Sequence, residues 1–454
     1  MPDVTKTREH WGSGVGFILA AAGSAIGLGN IWKFPYIAGE NGGAAFILIY
    51  LLSILIVGVP VLLAEILIGR RSQKNPVGAF RALSKDHPFW TAVGYVGVLA
   101  GFIILSYYNV VAGWSLGYMV EGLKGTFLSF GDAEVSGAYF GSRISSTGWI
   151  VGWQAVFAVL GMTVVYFGVN KGIEKISRIL MPVFFFILIG LVLWGLSLPG
   201  SSKGVEFLFK PDFSHINPGS VLVALGHAFF TLSLGMGAMM TYGSYLSDKE
   251  DLIRDGVLIA FLDTLIAILA GVAIFTAVFS MGFEPDAGPG LAFQVLPAVF
   301  ARMPGGMLFA VLFFGLLSIA ALTSAISLLE VITSYFVDEK DMERHRVVIL
   351  AGAFTFLVGV PSSLSFGAMN DVHLFGLNFF DMMDYLSANI LLPLGGLLIA
   401  VFVGWHMGLK EALAELKKGA ADYSDTLLNI WFIFVKYISP LAVALVLLSK
   451  LGLL

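Results

Sequence analysis

The chain has 454 residues, 57% of them hydrophobic and only 12% charged, with a formal net charge of −4 and a mean hydropathy of +0.88. Soluble domains carry about 25% charged residues, so this composition describes a polytopic membrane protein. The absence of cysteine excludes disulfides and thiol chemistry, the seven histidines show no metal-ligand spacing, and no basic stripe points to nucleic acid.

Residues 1–10 are polar and carry no cleavable signal pattern. Eleven apolar stretches near spanning length then follow, at about 12–38, 43–70, 89–121, 149–168, 173–197, 219–246, 255–281, 305–337, 346–366, 378–405 and 427–452. With the N-terminus inside, all but seven of the 26 Lys and Arg fall on the cytoplasmic side, the exceptions being Lys33, Lys124, Arg143, Lys203, Lys210, Arg302 and Lys450. The positive-inside rule therefore sets the orientation, and eleven spans put the C-terminus outside. The outer links 122–148, 198–218 and 282–304 are rich in Gly, Ser or Pro and too short to bury a core, so they read as ordered lids or tethers.

Two spans are interrupted. In the first, Gly23-Ser24-Ala25-Ile26-Gly27-Leu28-Gly29-Asn30 places three glycines in seven residues, followed by Lys33 and Pro35. Glycine weakens a helix, and in lipid each freed backbone group must find a partner. Such a break suits a glycine-lined packing face or a binding site in which carbonyls hold a cation and a half-helix N-terminus holds an anion. About 200 residues later, Phe229-Phe230-Thr231-Leu232-Ser233-Leu234-Gly235-Met236-Gly237 repeats the pattern inside the sixth span. Matching breaks in the first and sixth spans favour the binding site and a five-plus-five inverted repeat over about 12–197 and 219–405, with 427–452 as an additional helix.

A charge in hydrocarbon costs at least about 2.5 kcal/mol and needs a reason. Asp263 in the seventh span has no basic neighbour in that span, which favours a counter-charge to a cation over a packing role. Glu65 and Glu330 read as caps for broken-helix backbone, and His227 as a satisfied polar lining residue. Thr323 and Ser324 serve equally as interhelical glue or as oxygen ligands. Tyr107 and Tyr108 offer a phenol to a carboxylate, although intramembrane tyrosines mostly pack. Lys33 with Asp384 at the outer end, and Arg8 with Asp338 at the inner end, are placed to act as ion-pair gates. Gly172 and Pro182 invite local unwinding of the fifth span.

Arg8-Glu9-His10-Trp11, residues 23–35, Glu40-Asn41-Gly42-Gly43, Tyr107-Tyr108, residues 229–237 and Leu322-Thr323-Ser324 together resemble the neurotransmitter:sodium symporter family. The resemblance runs through all eleven spans and is closest to bacterial members that carry several hydrophobic amino acids. It implies an all-α integral membrane protein of the LeuT type: eleven transmembrane helices in a five-plus-five inverted repeat, with helices 1 and 6 broken. It also implies two sodium ions. The first would be held by the Ala25 carbonyl, Asn30, Thr231, Asp263 and the substrate carboxylate; the second by the Gly23, Ile26 and Ala320 carbonyls with Thr323 and Ser324.

The implied amino-acid site places the carboxylate at Tyr108, Gly27 and Gly29, and the ammonium near Ala25, Phe230, Thr231 and Ser233. Its side-chain pocket is Ser24, Ile104, Phe230, Met236, Ser324 and Leu328. Gly27 stands where monoamine carriers of the family have aspartate, which implies a substrate with its own carboxylate. Asp263 stands for an asparagine, Ala267 for a serine and His227 for a glutamine of the animal members, which implies chloride independence. Lys33 replaces the usual outer-gate arginine. The resemblance thus implies a non-enzymatic, sodium-coupled importer of neutral hydrophobic L-amino acids in the plasma membrane. Phe230 over Tyr108 and Lys33 with Asp384 would close its outside, and Arg8 with Asp338 its inside. A proton-coupled or sodium-independent exchanger, a channel and a non-transporting sensor are the competing readings.

Overall fold

The computed structural model describes residues 9–84, 87–285 and 288–453. Among them, nine helices are long and apolar enough to cross a membrane: Ala44–Ser72, Phe89–Leu123, Thr147–Tyr166, Val169–Ser197, Leu252–Ser280, Gly306–Lys340, Arg344–Leu364, Phe379–Met407 and Asp425–Lys450. The first span is the pair Gly14–Ala25 and Gly29–Glu40, bent by 47°. The sixth is also two pieces, Pro218–Thr231 and Ala238–Gly243, each too short to cross alone. Counted with these two broken spans, the nine make the eleven that the hydropathy predicts.

Apolar residues on several faces of each span follow from two different solvents. Lipid-facing side chains such as Phe186, Leu193 and Leu357 stay exposed, while Phe17, Phe46 and Phe275 are wholly buried. The long third and eighth spans pack along each other, the third also against the fourth and ninth, and the seventh against the fifth. Small residues permit this approach: a Cβ on Gly113 would lie 2.8 Å from the Gln154 backbone nitrogen of the fourth span.

The links 122–148, 198–218 and 282–304 hold the short helices Ala133–Ile144, Ser202–Phe209 and Leu291–Arg302. A two-stranded hairpin between spans nine and ten, His373–Leu374 with Leu377–Asn378, has no counterpart in the sequence reading. Its tight turn needs two left-handed residues and uses Phe375 at φ 54° and Gly376 at φ 81°.

Candidate functional site

The first break leaves its backbone groups partnered by side chains. After Ala25 the chain leaves the helix at Ile26 and resumes in a wide turn over Gly29–Lys33. Across the gap the Gly27 N–H donates to Asn30 Oδ1 at 3.0 Å, and the Leu28 N–H donates to the Tyr108 hydroxyl at 3.2 Å. In the sixth span the helix ends at Thr231, and Ser233, Gly235 and Gly237 take φ of 54°, 80° and 75°. A serine in the left-handed region is strained and needs compensation. Here its hydroxyl donates to the Ser24 carbonyl at 2.9 Å, which ties the two breaks together. Glu65 caps the second break, accepting the Gly235 N–H at 2.6 Å.

Between the breaks lies a small cavity of about 20 Å³ lined by Ser24, Ala25, Gly27, Gly29, Ile104, Tyr108, Phe230, Ser233, Met236, Ser324 and Leu328. These are eleven of the twelve residues that the family resemblance assigns to the substrate; the twelfth, Thr231, faces Asp263 instead. The volume holds little more than one water. Its polar groups serve one another: Ser24 donates to Ser327 at 2.6 Å, and Ser324 donates to the Ser24 carbonyl at 3.0 Å. Glycine at position 27 keeps the Tyr108 phenol within reach, since a Cβ there would lie 2.8 Å from the Tyr108 oxygen and closer still to Ser324 Oγ. Tyr108 and Phe230 also line a larger cavity of about 260 Å³ on the side of Lys33 and Asp384, walled by Trp32, Tyr107, Phe293 and Phe380 among others. The two rings therefore stand at the boundary between vestibule and inner cavity.

Beside the inner cavity, Asp263 is fully buried and accepts from Asn30 Nδ2 at 2.7 Å and from Thr231 Oγ1 at 3.1 Å. Asn30 Nδ2 also donates to the Asp263 carbonyl at 3.0 Å. The set offers hard oxygen donors and a carboxylate without an ion-pair partner among the described residues, a chemistry that suits a small monovalent cation. At the other flank Thr323 Oγ1 donates to the Ala320 carbonyl at 3.0 Å, Ser324 lies 3.5 Å from the Ile26 carbonyl, and a Cβ on Gly23 would be 3.2 Å from Thr323 Cβ. Asn30, Thr231 and Asp263 therefore meet on one flank of the first break, and Ser324 reaches the Ile26 carbonyl on the other.

Several expectations change. Lys33 and Asp384 both line the vestibule, but no ion pair joins them: the Lys33 ammonium sits 4.4 Å over the Phe230 ring, and Asp384 accepts from the Tyr107 hydroxyl at 3.0 Å. The vestibule between them is open, and each charge finds a nearer partner. Arg8 lies outside the described residues; Asp338 accepts from Asn75, with the backbone N–H at 3.1 Å. The stretch from Gly172 to Pro182 is helical throughout, a wide turn over Val169–Glu174 leading into Lys175–Ser197. Glu330 does not cap a break but pairs with Arg344 and accepts from the Tyr245 hydroxyl at 2.6 Å. No hydrogen-bond partner among the described residues reaches either ring nitrogen of His227, which stacks between Phe34 and Tyr50.

One buried carboxylate ties distant segments together. Glu174, nearly buried, accepts from the Gly12 N–H at 2.7 Å and from Ser13 Oγ at 3.3 Å, and pairs with Arg178 at 2.7 Å. Glu9 accepts the Val169 N–H, and the Trp11 indole donates to the Tyr242 carbonyl at 2.9 Å. The N-terminal segment is thereby clasped to the start of the fifth span and the end of the sixth. The signal was an acidic residue between Gly172 and Pro182, at the point where unwinding was expected.

The family model for the sodium:neurotransmitter symporter family matches residues 8–136 and 134–453. The chain belongs to that family. An uncharacterized sodium-dependent transporter of Bacillus subtilis, YhdH, is 44% identical over 447 residues, covering 98% of each chain. A second, from Haemophilus influenzae, is 38% identical and covers 98% of this chain and 99% of its own. Among solved structures, MhsT in complex with L-phenylalanine superposes with a TM-score of 0.89 at 46% identity, over 98% of this chain and all of that one. The protein is a multi-pass, sodium-dependent transporter of the LeuT fold, and its relatives are carriers rather than enzymes.

Proposed function

We propose that the protein imports neutral hydrophobic L-amino acids by alternating access, driven by two sodium ions and without chloride, across the plasma membrane. The N-terminus lies in the cytoplasm and the C-terminus outside, and the repeats 12–197 and 219–405 move against each other around the two breaks. The observation that carries this reading is the buried Asp263 carboxylate, with Asn30 and Thr231, beside a cavity that combines a phenol, two backbone-lined glycines and apolar walls. The bound L-phenylalanine of the MhsT structure supports the substrate class.

The coupling follows from charge. A zwitterion brings its own carboxylate to Tyr108 and Gly29, next to the first cation, so each lowers the cost of burying the other; such coupling is reciprocal between the two ligands. Asp263 supplies a fixed negative charge in the same place, which removes the need for a chloride. The apolar walls of Ile104, Met236 and Leu328 leave a charged side chain without a partner, and the adaptable Met236 suits side chains of several shapes. Binding must widen the cavity, because about 20 Å³ admits no amino acid; the Ser24, Ser233 and Ser324 bonds are the ones that exchange. Closing Phe230 over Tyr108 then seals the outside. Release inward needs the Gly172–Pro182 stretch to unwind and the Arg8–Asp338 side to open.

The test is uptake of radiolabelled phenylalanine and leucine into proteoliposomes with an inward sodium gradient and gluconate in place of chloride. Accumulation that collapses without sodium and survives chloride removal is expected. Equal flux without sodium would instead identify an exchanger, non-saturating flux a channel, and binding without accumulation a sensor.

A further inference from the structure

The third, eighth and ninth spans do not close against each other at their cytoplasmic ends. They leave a groove of about 530 Å³ lined almost wholly by apolar side chains, among them Val98, Phe102, Ile332, Phe336, Ala351 and Phe354. The lining comes from the first turns of the third and ninth spans and the last turns of the eighth, so the groove lies within one leaflet. From Tyr95 to Phe102 it runs about 10 Å along the third span, inside a hydrocarbon half-thickness of about 15 Å. Its deep end is floored by Phe102 stacked on Phe354 at 5.4 Å, and its mouth by Tyr95 against Tyr335 at 5.8 Å.

Tyr95 also lines a second recess of about 440 Å³ whose other walls are Arg81, Ser84, Pro88, Thr91 and Ala92. The apolar groove therefore adjoins, at Tyr95, a recess that carries polar groups. Arg81 is half exposed there, with one guanidinium nitrogen donating to Glu339. Glu339 itself is mostly buried, so the outward charge at this mouth is the guanidinium.

We infer that this groove binds one chain of an anionic phospholipid of the cytoplasmic leaflet, with the headgroup phosphate at Arg81 and the hydroxyl of Thr91. The surrounding solvent of this face is lipid, which determines what covers it. Moving an acyl chain from lipid into an apolar groove brings no hydrophobic gain, because lipid tails are as apolar as leucine. Residence and selectivity must come from the headgroup, and a guanidinium fork matches a phosphate through paired hydrogen bonds. The assignment to the cytoplasmic leaflet rests on the orientation proposed above; Tyr95 sets the groove beside the recess of Arg81 whichever leaflet they face.

Native mass spectrometry of the full-length protein, delipidated in detergent and titrated with dioleoyl phosphatidylglycerol, dioleoyl phosphatidylcholine or oleate, tests this. One arginine near a charged lipid contributes about 1 kcal/mol, which converts to about a fivefold preference. Phosphatidylglycerol should therefore bind about fivefold tighter than phosphatidylcholine. Arg81→Gln should abolish that preference, Glu339→Gln should increase it, and Lys203→Gln, on the link helix Ser202–Phe209 at the opposite end of the molecule, should leave it unchanged. Ala351→Trp, which fills the groove, should remove the bound lipid while thermal unfolding and circular dichroism report an intact fold. Equal binding of the two lipids by the unaltered protein, or a preference that survives Arg81→Gln, would overturn the proposal. Oleate binding as tightly as phosphatidylglycerol would assign the groove to a free fatty acid instead. A dimer lost in Ala351→Trp without loss of lipid would assign it to a second copy of the chain.

Discussion

On the orientation proposed above, the outer and inner ends of the path are built on different physics. At the outer end the walls are aromatic, the vestibule holds about 260 Å³, and the charges Lys33 and Asp384 each rest on a ring or a phenol rather than on each other. At the inner end carboxylates are buried and paired: Glu330 with Arg344, Glu174 with the half-exposed Arg178 and the Gly12 N–H, Glu415 with Arg70 at 2.7 Å. Apolar closure is non-directional and opens by degrees. Closure through desolvated hydrogen bonds is all-or-none, because each bond broken singly leaves a buried charge without a partner. The contrast fits a vestibule that stands open at the aromatic end: the laced end has to release several buried bonds together, while the aromatic end keeps Lys33 and Asp384 apart on a ring and a phenol.

Breaking the inner lacing has the largest expected effect. Glu330→Gln strands Arg344 against the Val165 carbonyl and should cost about 3–5 kcal/mol, read as a lowered thermal midpoint. The double variant Glu330→Leu with Arg344→Met should recover most of that loss, since an apolar pair of similar volume is often neutral. A full-sized loss in the double variant would show that packing, not charge, closes this end.

Glu174→Gln tests the clasp without emptying it. Hydrogen bonds to a charged group contribute about 1.5–3 kcal/mol, so the unwound fifth span should gain about tenfold or more in population. The chain has no cysteine, so Ser177→Cys places a single thiol inside the stretch, buried when it is wound. Its labelling rate should rise about tenfold in the Glu174→Gln background, and an unchanged rate would separate the clasp from unwinding.

At the outer end effects should be smaller. An ammonium over a ring contributes about 0.5–1 kcal/mol, so Lys33→Met should alter phenylalanine release to the outside by about two- to fivefold. A loss as large as that of Glu330→Gln would contradict the contrast between the ends.

The smallest effect belongs to the inner link before the seventh span. Burial works to raise the Asp251 pKa, but the N–H groups of Arg254, Ala421 and Ile253 and the Tyr423 hydroxyl outweigh it and hold the carboxyl below its ordinary 3.8. A depressed carboxylate contributes its stability in full above the ordinary value and loses it as pH falls through the depressed one. Hydrogen exchange of the Ala421 amide should therefore be flat from pH 7 to about 5, after correction for intrinsic rates, and accelerate only below 3.8.

How much of this was legible in the sequence depends on how local the cause is. The two breaks announce themselves because glycines and a proline weaken a helix wherever they stand, and Asp263 because hydrocarbon gives a lone carboxylate no other excuse. The cavity lining was reached through the family resemblance, which carries long-range information that no single periodicity holds. Glu174 was passed over because a glutamate at a cytoplasmic boundary looks like a solvated charge; its partners Gly12 and Ser13 lie some 160 residues earlier. Glu330 misled for the same reason, its arginine standing beyond the end of its own helix. Lys33 and Asp384 have opposite charges at one depth, yet depth does not say whether two side chains meet across an open vestibule. Local sequence tells where a helix is weak, and only the fold tells which side chain crosses to hold it.

The central claim is that cation and amino acid meet at Asp263, and equilibrium binding of radiolabelled phenylalanine across a sodium series, with choline as the balancing ion, tests it most directly. Phenylalanine affinity should rise with sodium, phenylalanine should tighten sodium by the same factor, and Asp263→Asn should weaken both unless chloride is supplied. Phenylalanine affinity that is equal in sodium and choline would contradict it.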